Sequence, residues 1–115
     1  MKTSKQVFLE KFNRAFADSD SDFLLSCVTD DIRWKVAGEQ WVEGREQFAR
    51  QLREMEQSEP LELAIEKIIT HGNSAAVNGV MKSVDGKTYG FCDIYTFSQS
   101  KDPKVCEMTS YVVEL

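Results

Sequence analysis

Residues 61–97, LELAIEKIITHGNSAAVNGVMKSVDGKTYGFCDIYTF, decide the fold. Three runs rich in β-branched and aromatic residues are divided by Gly72-Asn73 and by Asp85-Gly86, each a two-residue hairpin signal. A longer loop, Gln99 to Pro103, makes a further reversal before the last run. Everything from Leu61 onward therefore reads as four long antiparallel strands.

Tight turns set register, and register sets which side chains share a face. With Gly72-Asn73 as the turn, His71 faces Ser74, Ile69 faces Ala76, Lys67 faces Asn78 and Ile65 faces Val80. With Asp85-Gly86 as the turn, Val84 faces Lys87, Phe91 faces Val80, Asp93 faces Asn78 and Tyr95 faces Ala76. One face then gathers Leu63, Ile65, Ile69, Val80, Phe91, Tyr95 and Phe97 around a polar row, Lys67, Asn78 and Asp93. The other carries Ala64, Glu66, Ile68, Val77, Gly79, Met81, Cys92 and Ile94. A bulge would break this scheme, and Lys67-Ile68-Ile69 is the stretch able to hide one.

Outward from the strands, the first half reads as helices. Thr3 and Gln6 form a capping box ahead of Phe8, Phe12, Ala15 and Phe16, which recur at helical spacing. Asp18-Ser19-Asp20-Ser21 stops this helix and caps a short second one bearing Phe23 and Leu24. A strand follows over Ile32–Val36, and Trp41-Val42 is a brief extended piece. Gly44 opens a third helix to about Gln57, with Phe48, Leu52 and Met55 as its stripe, and Pro60 forbids its continuation. The fold class is α+β, with three helices from the N-terminal half packed on one face of the sheet. The aromatic face is the inner one, because Phe12, Phe16, Phe48 and Leu52 are there to meet it. The outer face is apolar too, and a second copy of the chain is its simplest cover, giving a homodimer through the sheet.

The chain has 115 residues, the size of one domain spanning 1–115. Lys and Arg total 14 against 19 Asp and Glu, an acidic balance that argues against nucleic acid, since phosphate binding needs a basic stripe. No apolar run reaches membrane-spanning length, and the N-terminus has no signal-peptide core, so the expected location is cytoplasmic. Cys27, Cys92 and Cys106 form no C-x-x-C pair, and His71 is the single histidine. The expectation is no metal and no organic cofactor.

Several stretches resemble one superfamily. Phe16-Ala17-Asp18-Ser19-Asp20 through Val28-Thr29-Asp30-Asp31-Ile32-Arg33-Trp34 is similar to the helical opening of the SnoaL-like and ketosteroid isomerase-like groups. Glu43-Gly44-Arg45-Glu46-Gln47-Phe48 resembles the start of their third helix, and Tyr89 to Phe97 with Lys104-Val105 resembles their last two strands. The resemblance implies a cone-shaped α+β barrel of the nuclear transport factor 2-like kind, dimeric, with a pocket between sheet and helices. It also implies that Met108 and Ser110 face the pocket. The residues themselves leave open the opposite register, with Glu107, Thr109 and Tyr111 inward.

Function carries over residue by residue. Ketosteroid isomerases use a helix Tyr, an Asp base on the first strand and a protonated Asp on the penultimate strand. The matching positions are Phe12, then Val36 or its neighbour Lys35, and Asp93. Only the last is kept, so the familiar isomerase set is incomplete. The Asp-Arg-Asp arrangement of limonene epoxide hydrolase-like proteins is absent as well.

Two readings follow. In the first, the pocket binds a small apolar molecule, cyclic ones included, or performs simple acid–base chemistry on it. Asp93 is then the catalytic group, and Phe12, Phe16, Trp34, Val36, Phe48, Asn78, Phe91, Tyr95, Met108 and Ser110 surround the ligand. In the second, the chain is a non-catalytic dimeric module with a packed pocket, and Lys67 pairs with Asp93.

Overall fold

The computed structural model describes residues 2–115. Helix α1 spans Ser4–Ala17 and is closed at its N-terminus by the expected capping box, Thr3 with Gln6. Helix α2, Ser21–Ser26, is capped by Asp20, whose carboxylate accepts from the Phe23 N–H. Strands β1 (Val28–Val36) and β2 (Trp41–Glu43) precede helix α3, Arg45–Glu54. Four long strands complete the chain: β3 (Glu62–His71), β4 (Ser74–Lys82), β5 (Thr88–Phe97) and β6 (Val105–Glu114).

Helix α3 stops short of the expected Gln57. Phe48 and Leu52 are buried, but Met55 is 41% exposed, so no further burial supports another turn. Strand β1 starts earlier than expected, at Val28, because Val28 lies alongside Val105 of β6.

The six strands form one curved open sheet in the order β2-β1-β6-β5-β4-β3, and the fold class is the expected α+β. Strands β1 and β6 run parallel, while every other neighbouring pair is antiparallel. The helices cover the face bearing Phe91, Tyr95 and Phe97, all buried. There Phe12 meets the Tyr95 ring edge-on at 5.8 Å between centroids, and contacts run on through Phe16 and Trp34 to Phe48. Aromatic pairs at such angles add to the stability won by burial alone.

Register departs from expectation at two places, each for a local reason. The β3–β4 pairing holds from His71↔Ser74 to Lys67↔Asn78, then shifts so that Ile65 faces Gly79 rather than Val80. Glu66 is the extra residue of a bulge, which puts Leu63 and Ile65 on the inner face together with Ile68. The β4–β5 turn is longer than two residues. The Ser83 N–H donates to the Lys87 carbonyl, the Gly86 N–H donates to the Ser83 carbonyl, and Gly86 sits at φ 89°. Asp85 reinforces the loop by accepting from the Lys87 N–H. Val84, Asp85 and Gly86 thus all belong to the loop, and Phe91, Asp93 and Tyr95 face Gly79, Val77 and Ala75, one position off the two-residue reading.

One residue of slip exchanges faces. Asn78, Val80, Lys67 and Ile69 therefore lie on the outer face, opposite Asp93, and Val77, Gly79 and Met81 lie inside. The expected row of Lys67, Asn78 and Asp93 does not exist. Among the described residues, no helix is long and apolar enough to cross a membrane.

Candidate functional site

A cavity of about 350 Å³ opens between the sheet and the helices. Helix α1 contributes Asn13 and Phe16, β1 contributes Trp34 and Val36, β5 contributes Phe91 and Asp93, and β6 contributes Ser110 and Val112. Ser19, Ser21, Glu39, Gln51 and Gln57 also border it. Its titratable groups are Asp93 and Glu39, and Glu39 is exposed.

Asp93 reaches this wall because odd-numbered residues of β5 point inward with Tyr95 and Phe91. On the neighbouring strand Ser110 stands directly opposite Asp93, and Tyr95 stands opposite Met108. Even-numbered residues of β6 thus face the interior, as the family resemblance implied: Met108 and Ser110 are both buried. Trp34 lies beside Met108 in the parallel pairing, which brings its indole to the Ser110 hydroxyl.

The directions of the hydrogen bonds around Asp93 follow from groups that have no choice. On one side, the Asn13 amide nitrogen donates to the Leu9 backbone carbonyl at 2.9 Å and to the Tyr95 hydroxyl at 3.1 Å. A carbonyl only accepts, so the amide cannot be flipped. The Tyr95 hydroxyl accepts from Asn13 and spends its single proton on the Asp93 carboxylate at 3.3 Å. On the other side, the Trp34 indole N–H, donor only, donates to the Ser110 oxygen at 2.9 Å. The Ser110 hydroxyl in turn donates to Asp93. Two one-way chains converge on one carboxylate.

Burial nevertheless dominates its acidity. Desolvation raises the Asp93 pKa from 3.8 to about 6, against the lowering effect of the Ser110 and Tyr95 hydrogen bonds. Among the described residues no Lys, Arg or His forms an ion pair with Asp93. Burial and the neighbouring carboxylate drive the Tyr95 pKa well above 10, so Tyr95 remains a neutral donor.

Of the expected pocket residues, the cavity brings together Phe16, Trp34, Val36, Phe91 and Ser110 with Asp93. Phe12, Phe48, Tyr95 and Met108 are packed behind this lining, each 1% exposed or less. Asn78 is excluded from the site: it lies on the outer face, where its amide approaches Glu66 at 3.5 Å. Asn13 was missed. It follows Phe12, the position the resemblance matched to a helix tyrosine, and it carries the polar role that Phe12 cannot. The signal was present in the sequence as an amide four residues after Leu9 and three before Phe16, inside an apolar helix face.

A curved sheet, three helices and a cavity with one half-buried carboxylate on the penultimate strand define a class of small α+β pocket proteins. A profile of the SnoaL-like domain matches residues 9–108, and the chain belongs to that family. No curated protein sequence matches it significantly. Among solved structures it is similar to an NTF2-like protein of unknown function from Cytophaga hutchinsonii. The two are 25% identical, with 90% of this chain and 95% of that chain covered and a TM-score of 0.67. A second NTF2-like protein of unknown function, from Burkholderia xenovorans, is 21% identical, with 93% and 80% covered and a TM-score of 0.77. An LEH-like epoxide hydrolase from M. tuberculosis is 18% identical, with 91% and 79% covered and a TM-score of 0.73. At these identities the last two likenesses describe the fold alone.

Proposed function

We propose that the protein binds a small, largely apolar molecule in this cavity and acts on it by acid–base chemistry centred on Asp93. The observation that carries the reading is a half-buried carboxylate on the cavity wall that meets two hydroxyl donors and no cation among the described residues. A structural carboxylate at such a depth is ordinarily matched by a positive charge. Lys67, the one cation the sequence offered as its partner, lies on the opposite face of the sheet. An unmatched, pKa-shifted acid in a cleft is the arrangement expected of a functional group.

The ligand body packs on Phe16, Trp34, Val36 and Phe91, and its polar group meets Asp93. At neutral pH Asp93 is mostly ionised, close enough to its pKa of about 6 to take a proton and return it. One neighbour on the same fold is an LEH-like epoxide hydrolase, while the substrate and chemistry here are argued from the cavity alone.

The test is a thermal-shift screen of small apolar alcohols, phenols and ketones, with Asp93→Asn beside the wild type. A ligand at 100 times its dissociation constant adds about 2.7 kcal/mol of stability. Hits on the wild type that weaken in Asp93→Asn, with turnover lost in that variant, are the expected outcome. An Asp93→Asn protein that turns over a hit at the wild-type rate would remove Asp93 from the chemistry.

We further propose that the outer sheet face pairs with a second copy of the chain. Ile69, Ala76, Ile94 and Thr109 form one row across four strands, with Cys92 beside Tyr111 and Val80, Gly90 and Val113 in the next rows. Ile69 is 60% exposed, Ile94 48%, Tyr111 47% and Val113 63%, an apolar surface that association would cover. Sedimentation should give a dimer for the wild type and a monomer for Ile94→Lys. A wild-type monomer at high concentration would refute the pairing.

A further inference from the structure

We infer that the inner end of this cavity selects ligands that donate a hydrogen bond, such as alcohols, phenols or amines, over ligands that only accept one. We further infer that Asn13 is a specificity-determining residue for them. The inference rests on the cavity being a ligand site, as proposed above, and goes on to name the chemistry of the ligand's polar group.

It follows from counting protons. Every donor at the inner end is already committed. Both Asn13 amide hydrogens are used, on the Leu9 carbonyl and the Tyr95 hydroxyl. The Tyr95 proton goes to Asp93, the Trp34 N–H to Ser110, and the Ser110 proton to Asp93. What remains free is acceptor only: the unused lone pairs of the Asp93 carboxylate and the Asn13 amide oxygen. Asn13 lines the cavity, and its oxygen is not among the sealed, unpartnered side-chain oxygens, of which Thr29 supplies the single case among the described residues. A ligand hydroxyl placed there finds acceptors from a helix and from a strand. A ligand carbonyl in the same place meets lone pairs and leaves polar groups unmatched, a loss larger than that of a merely absent hydrogen bond.

The amide orientation makes the selection robust. Rotating Asn13 to offer its N–H₂ inward would set its oxygen against the Leu9 carbonyl, acceptor against acceptor. The site therefore cannot adapt to a carbonyl ligand by a simple flip.

The experiment compares 1-indanol with 1-indanone, which share one skeleton and differ in whether the oxygen carries a proton. Each is titrated into ¹⁵N-labelled protein at about pH 7.5, where Asp93 is ionised, following the Asn13 side-chain amide and the Trp34 indole signals. The expected result is binding of the alcohol about ten-fold tighter than the ketone, the size of one net hydrogen bond. In Asn13→Leu the preference should shrink. Should that variant fold poorly, the wild-type ratio decides the matter alone. Equal or tighter binding of the ketone overturns this inference and leaves the pocket reading standing. A preference unchanged in a folded Asn13→Leu protein removes Asn13 from the selection. Failure of both compounds to perturb either signal up to their solubility overturns the pocket reading and this inference together.

Discussion

Asn13 and Tyr95 stand 82 positions apart in the chain and share a buried hydrogen bond of 3.1 Å whose direction is set from outside the pair. The Leu9 carbonyl holds the Asn13 amide in one orientation, so the Tyr95 hydroxyl must accept from it and must pass its own proton to Asp93. A helix backbone atom thus determines the protonation geometry of a carboxylate on the sheet. The Trp34 and Ser110 pair does the same from the other side. Such preorganised donors need no rearrangement when charge appears on the carboxylate.

The link between Asn13 and Tyr95 should be measurable as coupling. Asn13→Ala removes a buried donor and leaves the Tyr95 oxygen short of a partner, which costs about 1–3 kcal/mol. Tyr95→Phe removes the other member and leaves Asp93 with one donor fewer. Because each variant already destroys the shared bond, the double variant should lose less than the sum of the singles, by about 1 kcal/mol. Urea denaturation of the four proteins checks it, and strict additivity would mean the bond contributes nothing.

Asp93 should make the protein more stable as pH falls through a defined window. Its folded pKa, about 6, lies above the ordinary 3.8, so the folded state binds the proton more tightly than the unfolded chain does. The stability penalty of the buried charge is full above the folded pKa and absent below the ordinary one. Across that window the protonated acid recovers at most roughly 3 kcal/mol. Asp93→Asn lacks this term, and its other groups titrate as in the wild type. The stability difference between the two should therefore move in favour of the wild type by roughly 2–3 kcal/mol from about pH 7.5 to pH 4. Denaturant melts at several pH values give that difference, and a flat line would mean that burial does not perturb Asp93.

The legible part of this molecule was everything governed by periodicity. The capping box at Thr3, the cap at Asp20, the inward Phe91, Tyr95 and Phe97 and the Gly72-Asn73 turn all follow from local sequence and recur in the structure. Register across the sheet was not legible, because Asp85-Gly86 suits a two-residue turn and a longer one alike. Ser83 and Lys87 decide it through hydrogen bonds inside the loop itself that no pattern announces. That one residue moved Asn78 out of the site and took Lys67 away from Asp93. Asp93 itself was found because a carboxylate among aromatics stands out on any face. Asn13 was passed over because a helix face read for apolar residues hides a single amide within it.

Gly79 should be intolerant of even one methyl group. The Glu66 bulge brings β3 so close that a Cβ on Gly79 would lie 2.3 Å from the Ala64 carbonyl oxygen and 3.0 Å from the Ile65 Cα. Both are backbone atoms and cannot rotate away. Gly79→Ala must shift the strand pair or flatten the bulge, at a cost of about 1–3 kcal/mol or more. The loss should appear in the melting temperature. Deleting Glu66 as well removes the bulge while Lys67 still faces Asn78 and Ile65 still faces Gly79, with Leu63 and Ile65 inward, so it should recover part of the loss.

Ser110→Ala tests the second chain of donors. Removing the hydroxyl takes from Asp93 one of the two hydrogen bonds that hold its pKa down, so its midpoint should rise above the wild-type value of about 6. The same change leaves the Trp34 indole N–H, in a side chain only 3% exposed, without its acceptor. An unsatisfied buried donor costs about 1–3 kcal/mol, so the variant should also be less stable at neutral pH. The two effects separate by observable: carboxyl ¹³C shifts of labelled Asp93 report the midpoint, and denaturant melts report the loss. A midpoint that stays put while stability falls would mean that Ser110 serves Trp34 alone. Tyr95 would then be the one group that tunes the acid.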